Sequence, residues 1–372
     1  MNFSDARNYF PYLRTSKIYF NHAAMSPLST PVVESVQRYL YERSESEVEN
    51  FPSFQRVFVD TRSRLATLIN APADRIAFSD NTSNALNILA QGLTWKAGDR
   101  ILLNDIEFPT NVYPFMNLKQ QGVEIDFVKS VDGTIPFESI ESAITEKTRL
   151  LSISHVQFLS GYRSDLKKIG ELCKSRDVIF CVDDIQASGA LLTDVKECSI
   201  DYLACGCHKW MMGLEGLSFF YLTEELQDMI HPRYAGWLSV DDDWNLLDYK
   251  LVFKKGAARF QNGTMPVAGV FGLNASLKFF AEFDNIEKEK IILDNTEYFI
   301  SLLSEKGLNP IMQGVPREHL SGIVSCRPND AEQIFERLMK NNIVAALREG
   351  VLRFSPHFYN TKDEINAVVE ML

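Results

Sequence analysis

Short apolar segments alternate with helical patterns along residues 75–222, and this alternation most constrains the fold. The intervening helices are predicted to begin near Ser83, Pro109, Pro136, Asp165 and Ser188. Alternation of this kind indicates an α/β fold with a mostly parallel, seven-stranded sheet covered by helices on both faces. The gap between residues 205 and 217 is too short for a crossover helix, which predicts one antiparallel strand there. The predicted strands are Ile76–Ser79, Ile101–Asn104, Glu124–Val128, Leu150–His155, Val178–Val182, Tyr202–Cys205 and Leu217–Leu222.

Helical and strand patterns on either side of this region predict a second, smaller unit. Helices are expected from Pro31, over Phe54–Ile69, and along one long segment from Pro266 to Glu305. We predict a large domain over residues 16–280 and a small α+β domain over 281–372 together with 1–15. The small domain is expected to contain strands Gly322–Cys326, Val344–Ala346 and Val351–Ser355, and helices Ala331–Lys340 and Lys362–Leu372.

Net charge, hydropathy and cysteine usage bear on the partners and the compartment of the protein. The 372 residues carry a net charge of −11, which disfavours nucleic acid or an anionic membrane surface. No apolar run approaches membrane-spanning length, and the N-terminus lacks a signal pattern. The 6 cysteines lie mostly in apolar runs, as reduced and buried cysteines do, so a cytoplasmic protein is expected. Cys205 and Cys207 lack the second ligand pair of a zinc site, and no metal site is predicted.

One lysine, Lys209, lies in a glycine-bearing turn between two apolar runs. A lysine that reacts with an aldehyde must attack as a neutral amine, which needs burial or a nearby cation to lower its pKa. A site of low polarity beside His208 would suit it. An ordinary surface lysine is the alternative explanation.

Asp183 ends a strongly apolar predicted strand, where ligands of open α/β sheets bind. A carboxylate there can keep the nitrogen of a pyridine ring protonated, and Gln186 could reach the ring hydroxyl. Alternatively, Asp183 or Asp184 only caps a following helix.

Two further segments follow predicted strands. Thr82 and Ser83 open a helix, whose N-terminus and hydroxyl groups could form a phosphate site, although simple capping explains them equally well. Phe108 could stack on a flat ligand with Asn111 as a nearby hydrogen-bond donor, or it could be a core residue. Near the C-terminus Arg353 lies in an apolar strand, where it either binds a substrate carboxylate or forms a structural ion pair.

Taken together, these motifs resemble the class V aminotransferase family of pyridoxal-phosphate enzymes. That family includes cysteine desulfurases, selenocysteine lyases, kynureninases and isopenicillin N epimerase-like proteins. The likeness spans nearly the whole chain, from Tyr19 to Thr361, and the order and spacing of the motifs are specific although each motif alone is weak. It implies a fold-type I enzyme that binds pyridoxal 5′-phosphate and acts on an amino acid.

The resemblance also implies roles for individual residues. Lys209 would form the Schiff base with the cofactor, and His208 would contact the phosphate or the active site. The remaining implied cofactor contacts are Asp183, Gln186, Thr82, Ser83, Phe108 and Asn111, with Thr264 reaching the phosphate of the neighbouring subunit of a homodimer. Arg353 would hold the substrate carboxylate, with Arg348 and Ala24 as further substrate contacts.

Departures from the family pattern indicate which subgroup of the family the chain resembles most. Phe108 occupies the place where desulfurases carry a histidine, and residues 328–351 contain no cysteine for a desulfurase loop. A persulfide-forming desulfurase is therefore disfavoured, and the motifs around Lys209 look most like the epimerase-like group. Transamination, epimerisation and β-elimination stay open, and a catalytically silent regulatory protein is the alternative.

Overall fold

The computed structural model describes residues 2–46, 48–49 and 51–372. The α-helices, in chain order, are α1 (Thr30–Glu45), α2 (Phe51–Leu68), α3 (Thr82–Gly92), α4 (Tyr113–Met116), α5 (Phe137–Ala143), α6 (Leu166–Ser175), α7 (Glu224–Met229), α8 (Val267–Phe280), α9 (Asn285–Glu305), α10 (Ala331–Lys340) and α11 (Lys362–Glu370). The strands are β1 (Ile18–Tyr19), β2 (Ile76–Ser79), β3 (Arg100–Asn104), β4 (Glu124–Val128), β5 (Thr148–Ser154), β6 (Ile179–Asp183), β7 (Tyr202–Gly206), β8 (Ser218–Leu222), β9 (Val324–Cys326), β10 (Ile343–Val344), β11 (Ala346–Arg348) and β12 (Val351–Phe354). Short 3₁₀ helices lie at Phe3–Tyr9, Pro11–Thr15, Ala73–Arg75, Pro109–Asn111, Asn117–Gln121, Ala257–Phe260 and Arg317–His319.

A central sheet of seven strands has the order β2-β8-β7-β6-β5-β3-β4. Strand β8 is antiparallel to both neighbours, β7 and β2, whereas every other adjacent pair is parallel. The predicted seven-stranded, mostly parallel sheet and its antiparallel strand are confirmed. Because β8 reverses direction, β2 runs the same way as β7, so the carboxyl ends of β2, β3, β6 and β7 share one edge.

Apolar residues on both faces explain why these strands read as continuous apolar runs. Along β6, Val182 belongs to one buried cluster and Cys181 to another. Along β7, Leu203 and Ala204 divide between the same two clusters. Successive side chains of a strand point to opposite faces, so helices must bury both.

The helix predicted near Ser188 is wrong. Residues 184–201 form turns and irregular structure instead. The Asp184 carboxylate accepts hydrogen bonds from the hydroxyl groups of Ser188 and Thr193, which closes the chain into a turn, and Gly189 has a φ of +99°. A left-handed residue of this kind does not continue a helix.

Two other helix predictions need correction. The helix expected at Pro109 is a 3₁₀ turn followed by the single turn of α4. The segment from Pro266 to Glu305 is divided into α8 and α9, because the Asp284 side chain accepts the backbone N–H of Glu287 and starts a new helix. Among the described helices, none is both long and apolar enough to cross a membrane.

The C-terminal region forms two small sheets. One has the antiparallel order β11-β12-β9, and the other pairs β10 in parallel with β1. The single strand predicted over Val344–Ala346 is therefore two strands that belong to different sheets. Phe20, Phe299 and Phe354 share a separate buried cluster here, so the N-terminal segment packs with the C-terminal elements. The domain bounds 16–280 and 281–372 stay a prediction.

Candidate active site

Lys209 lies in the tight connection between β7 and β8. The turn is closed by hydrogen bonds from Gly213 N to the Cys207 carbonyl at 2.8 Å and from Met212 N to the Lys209 carbonyl at 2.9 Å. The N-terminal segment docks here, since Ser26 N donates to the His208 carbonyl at 3.1 Å. These bonds place the lysine at the carboxyl edge of the central sheet.

A cavity of about 420 Å³ opens at this edge, and most of the predicted site residues line it. They come from the segments that follow four strands (β2, β3, β6 and β7), from the N-terminal segment and from the β11–β12 hairpin. The predicted residues in the lining are Ala24, Thr82, Ser83, Phe108, Gln186, His208, Lys209, Arg348 and Arg353.

Burial shifts the pKa of both central ionisable groups. It raises the pKa of the Asp183 carboxyl at the end of β6, against the opposing charge of Lys209. It lowers the pKa of Lys209 below the ordinary lysine value, and the positive charges of Arg353 and Arg348 lower it further. Both shifts are toward the uncharged forms, so a larger fraction of the Lys209 amine is neutral near neutral pH than in an exposed lysine.

Arg353 is 1 % exposed and has no carboxylate partner among the described residues. One guanidinium nitrogen, Nη1, donates to the Phe158 carbonyl at 2.8 Å. Its Nε and Nη2 atoms are buried without a hydrogen-bond partner in the described part of the chain. Unpaired buried donors are costly, which indicates a site for an anion.

The two neighbouring aspartates differ in their surroundings. Asp184 accepts hydrogen bonds from His155 Nδ1 at 2.8 Å and from Ser188 and Thr193, so it holds the loop after β6. Asp183 accepts the backbone N–H of Ile185 at 3.1 Å and lies buried beside the cavity. Because no helix follows, neither residue is a helix cap.

Phe108 is 40 % exposed and forms an edge-to-face contact with Phe158, with 5.2 Å between ring centroids. The Lys209 Nζ atom lies 5.7 Å from the Phe108 centroid. The ring therefore forms a wall of the cavity rather than part of the core.

Three predicted cofactor contacts are not in the lining: Asp183, which lies beside the cavity, Asn111 and Thr264. Asn111 is fully buried, and its Oδ1 accepts the Ser152 hydroxyl at 2.6 Å, while its Nδ2 is buried without a hydrogen-bond partner in the described part of the chain. Its role as a cofactor contact stays a prediction. Thr264 lines a neighbouring cavity of about 560 Å³ together with Asn84 and His231. It does not reach the cavity of its own Lys209.

The structure adds residues that sequence reasoning missed. Glu107, directly before Phe108, is buried and accepts four hydrogen bonds, including those from Ser154 N at 2.8 Å and Gln157 Nε2 at 3.0 Å. Gly206 lines the cavity, and an added Cβ would lie 2.9 Å from Ile185 Cδ1 and 3.0 Å from Thr82 Oγ1. The available indication for Glu107 was its position directly after a predicted strand and beside Phe108.

All six cysteines are free thiols, and none lines the cavity. Burial raises the pKa of Cys207 and of Cys181, and it raises that of Cys326 to about 12. Protonated, buried thiols are poor nucleophiles.

Comparison with known proteins agrees with this architecture. The family model for aminotransferase class-V matches residues 18–368. An uncharacterized aminotransferase, YcbU, from Bacillus subtilis is 29 % identical, over 98 % of this chain and 95 % of the relative. A probable cysteine desulfurase from Methanothermobacter thermautotrophicus is 29 % identical, over 100 % and 98 %.

Among solved structures, the cystine C–S lyase C-DES in complex with cysteine persulfide, its reaction product, superposes with a TM-score of 0.89. It is 25 % identical, over 97 % of this chain and 98 % of that one. Another C-DES structure holds glycine covalently linked to the pyridoxal-phosphate cofactor. The chain therefore belongs to the aminotransferase class V family and is an enzyme whose cofactor is pyridoxal phosphate.

Proposed function

We propose that the cavity at Lys209 binds pyridoxal phosphate and the substrate amino acid together. The residues present fit the cofactor. Gly206 leaves a side-chain-free gap beside Thr82. The Asn81 side chain caps α3 by accepting the N–H of Asn84, which leaves the N–H groups of Thr82 and Ser83 at the helix start for a phosphate. Ser83 and His208 line the same cavity and would contact the phosphate. Phe108 would lie against the ring.

Two buried groups would set the electronic state of the ring. Asp183 would contact the ring nitrogen and Gln186 the ring hydroxyl oxygen. When bound, the cofactor withdraws electrons from the α-carbon of an attached amino acid. Lys209 would hold the cofactor through Nζ and, once displaced by the substrate, accept the α-proton as a neutral amine.

The observation that carries the proposal is the presence of Arg353 and Lys209 in one cavity. The unpartnered Nε and Nη2 atoms of Arg353 can bind a carboxylate bidentately, which would orient the α-carbon toward the lysine. Arg348 and Ala24, in the same lining, would contact the rest of the substrate.

The absence of a thiol from the cavity lining bears on the reaction type. A desulfurase that forms a persulfide on its own cysteine needs a reactive thiol beside the substrate, and this chain offers none there. The cystine C–S lyase C-DES has cysteine persulfide as its reaction product. We infer that β-elimination from a sulfur-containing amino acid is the leading candidate, with transamination and epimerisation as the other reactions that these residues support.

We infer that the enzyme is a homodimer with shared sites, working in the reducing cytoplasm. The position of Thr264 away from its own Lys209 supports a role in the neighbouring subunit's site. The segment 234–252 carries exposed apolar side chains, including Leu247 at 83 % and Tyr249 at 90 % exposure, which a partner could cover. The six free thiols support a reducing compartment, because cysteines of cytoplasmic proteins are kept reduced.

A spectroscopic experiment tests the assignment of Lys209. The purified protein with cofactor should absorb visible light, and Lys209→Ala should lose the wild-type band and at least about 100-fold in activity. Lys288→Met is the matched control, because Lys288 is a second buried lysine whose pKa burial lowers to about 8. An unchanged spectrum in Lys209→Ala, or loss of the band only in Lys288→Met, would contradict the proposal.

Product analysis separates the reactions. Cystine and cysteine should yield pyruvate, ammonia and a persulfide or sulfide if β-elimination is correct. Keto acid formed only with an added amino acceptor would indicate transamination. Loss of optical rotation without a new product would indicate epimerisation.

A further inference from the structure

The side-chain amide of Gln186 is held at both ends by groups of opposite character. Its Nε2 donates to the Ala23 carbonyl at 3.0 Å, and its Oε1 accepts the indole N–H of Trp210 at 2.9 Å. An indole nitrogen can only donate and a backbone carbonyl can only accept. A flipped amide would lose both hydrogen bonds, so the two partners determine its orientation.

This orientation decides which group Gln186 offers to the cavity that it lines. Its oxygen is turned toward Trp210, which is fully buried. Its nitrogen carries two hydrogens, and the Ala23 carbonyl uses one of them. Gln186 therefore presents the second N–H, a donor, to a ligand.

Trp210 is itself fixed from two sides, although it does not line the cavity. Its carbonyl accepts a hydrogen bond from His357 Nε2 at 3.0 Å, while His357 Nδ1 accepts the Phe358 N–H at 2.8 Å. A Cβ added at Gly322 would lie 2.4 Å from Trp210 Cη2. The C-terminal region thus packs directly against the indole, through Gly322 and through the His357 ring, whose centroid lies 5.3 Å from that of Trp210.

We propose that Trp210 is a positioning residue that keeps the Gln186 N–H directed at the ring oxygen of the bound cofactor. The inference rests on the proposed function, which places that oxygen beside Gln186. A hydrogen-bond donor favours the more negative form of the oxygen it contacts. The donor should therefore lower the pH at which the bound chromophore loses its proton.

The test is the pH titration of the visible absorbance of the holoenzyme. Trp210→Phe removes the indole donor and keeps most of the ring volume. Its titration midpoint should rise by about half to one pH unit, as expected for one lost hydrogen bond. Gly322→Ala, which retains the indole but displaces it, should shift the midpoint in the same direction. Gln186→Met should reproduce the shift.

A double variant distinguishes positioning from a general structural effect. Trp210→Phe should add no further shift in the Gln186→Met background, because the group it positions is gone. Phe299→Leu, a buried change in the separate C-terminal cluster, is the control and should leave the midpoint unchanged.

Unchanged midpoints in Trp210→Phe and Gly322→Ala, or an equal shift with and without Gln186, would overturn the inference. If Trp210→Phe does not fold, Gly322→Ala decides. A wild-type protein without any visible cofactor band would count against the proposed function instead, so the two failures are distinguishable.

Discussion

At the residue scale, the site depends on groups that the protein leaves unpaired or uncharged. Arg353 keeps two buried donors free, and Lys209 is held where its ammonium form is disfavoured. Neither state stabilises the fold, since burial without a partner costs free energy. Such costs at the end of parallel strands are typical of ligand sites.

The first residue-scale prediction concerns Arg353. Arg353→Lys should raise KM for the amino acid by about 10- to 100-fold with a smaller change in kcat, because an ammonium cannot replace the bidentate fork. Arg163→Lys is the matched control, since the Arg163 guanidinium pairs with Glu289 at 2.7 Å. Steady-state kinetics measure both, and a KM equal to that of wild type would argue against the carboxylate role.

A second residue-scale prediction concerns acid stability. Burial lowers the pKa of His22 to about 3 and holds the pKa of His357 well below its ordinary value. Between the lowered pKa and the unfolded value of about 6.5, the unfolded state binds more protons, so stability rises with pH there. The free energy of unfolding should fall by about 1.4 kcal/mol per pH unit for each histidine as pH decreases below about 6.

Urea denaturation between pH 5 and pH 7 checks this expectation. In His22→Gln the loss of stability over that range should be smaller than in wild type, even if the variant is less stable at pH 7. An identical pH dependence would show that His22 takes up a proton in the folded state.

At the element scale, the edge of the sheet collects the site because β2, β3, β6 and β7 end together. The short turn between β7 and the reversed strand β8 places Lys209 against the end of β6, where Asp183 lies. Gly206, at the end of β7, keeps this corner open.

Gly206→Ala tests this corner. Its Cβ would crowd Thr82 and Ile185, so the dissociation constant of the cofactor should rise by about 5- to 100-fold. Gly269→Ala in α8 is the control, because its Cβ would meet Leu217 at an ordinary 3.4 Å. Equal cofactor affinity of the two variants, measured by fluorescence titration, would show that the gap is not part of the phosphate site.

At the scale of the whole molecule, the proposed dimer makes a specific prediction about complementation. Lys209→Ala and Thr264→Val should each impair activity when expressed alone. A hybrid dimer of the two contains one site with an intact Lys209 and the partner's intact Thr264, so co-expression should restore part of the activity.

The hybrid is purified through two different affinity tags and assayed against each parent. Sedimentation velocity should give twice the mass of one chain. No recovery of activity in a confirmed hybrid would mean that Thr264 serves the site of its own chain or no site.

Local sequence patterns and the family resemblance were enough to predict the sheet and about half of the residues that line the cavity. Continuous apolar strands, a gap too short for a crossover helix, and polar residues directly after strands are local properties of the chain, so Lys209, Thr82, Phe108 and Gln186 could be found without coordinates. The helix expected at Ser188 failed because Asp184 bonds back to the loop, which is a contact that propensity does not contain.

The relations between distant segments follow from the folded structure alone. The tertiary structure distinguished Asp183 from Asp184 by their hydrogen-bond partners and buried Asn111 against Ser152. It also placed Thr264 in another cavity and left Arg353 without a described counter-charge. Arg353 and its acceptor Phe158 are 195 positions apart, and Trp210 reaches Gln186 across 24. Burial, pKa and amide orientation depend on such neighbours, because each is set by which groups the folded chain brings within hydrogen-bonding distance.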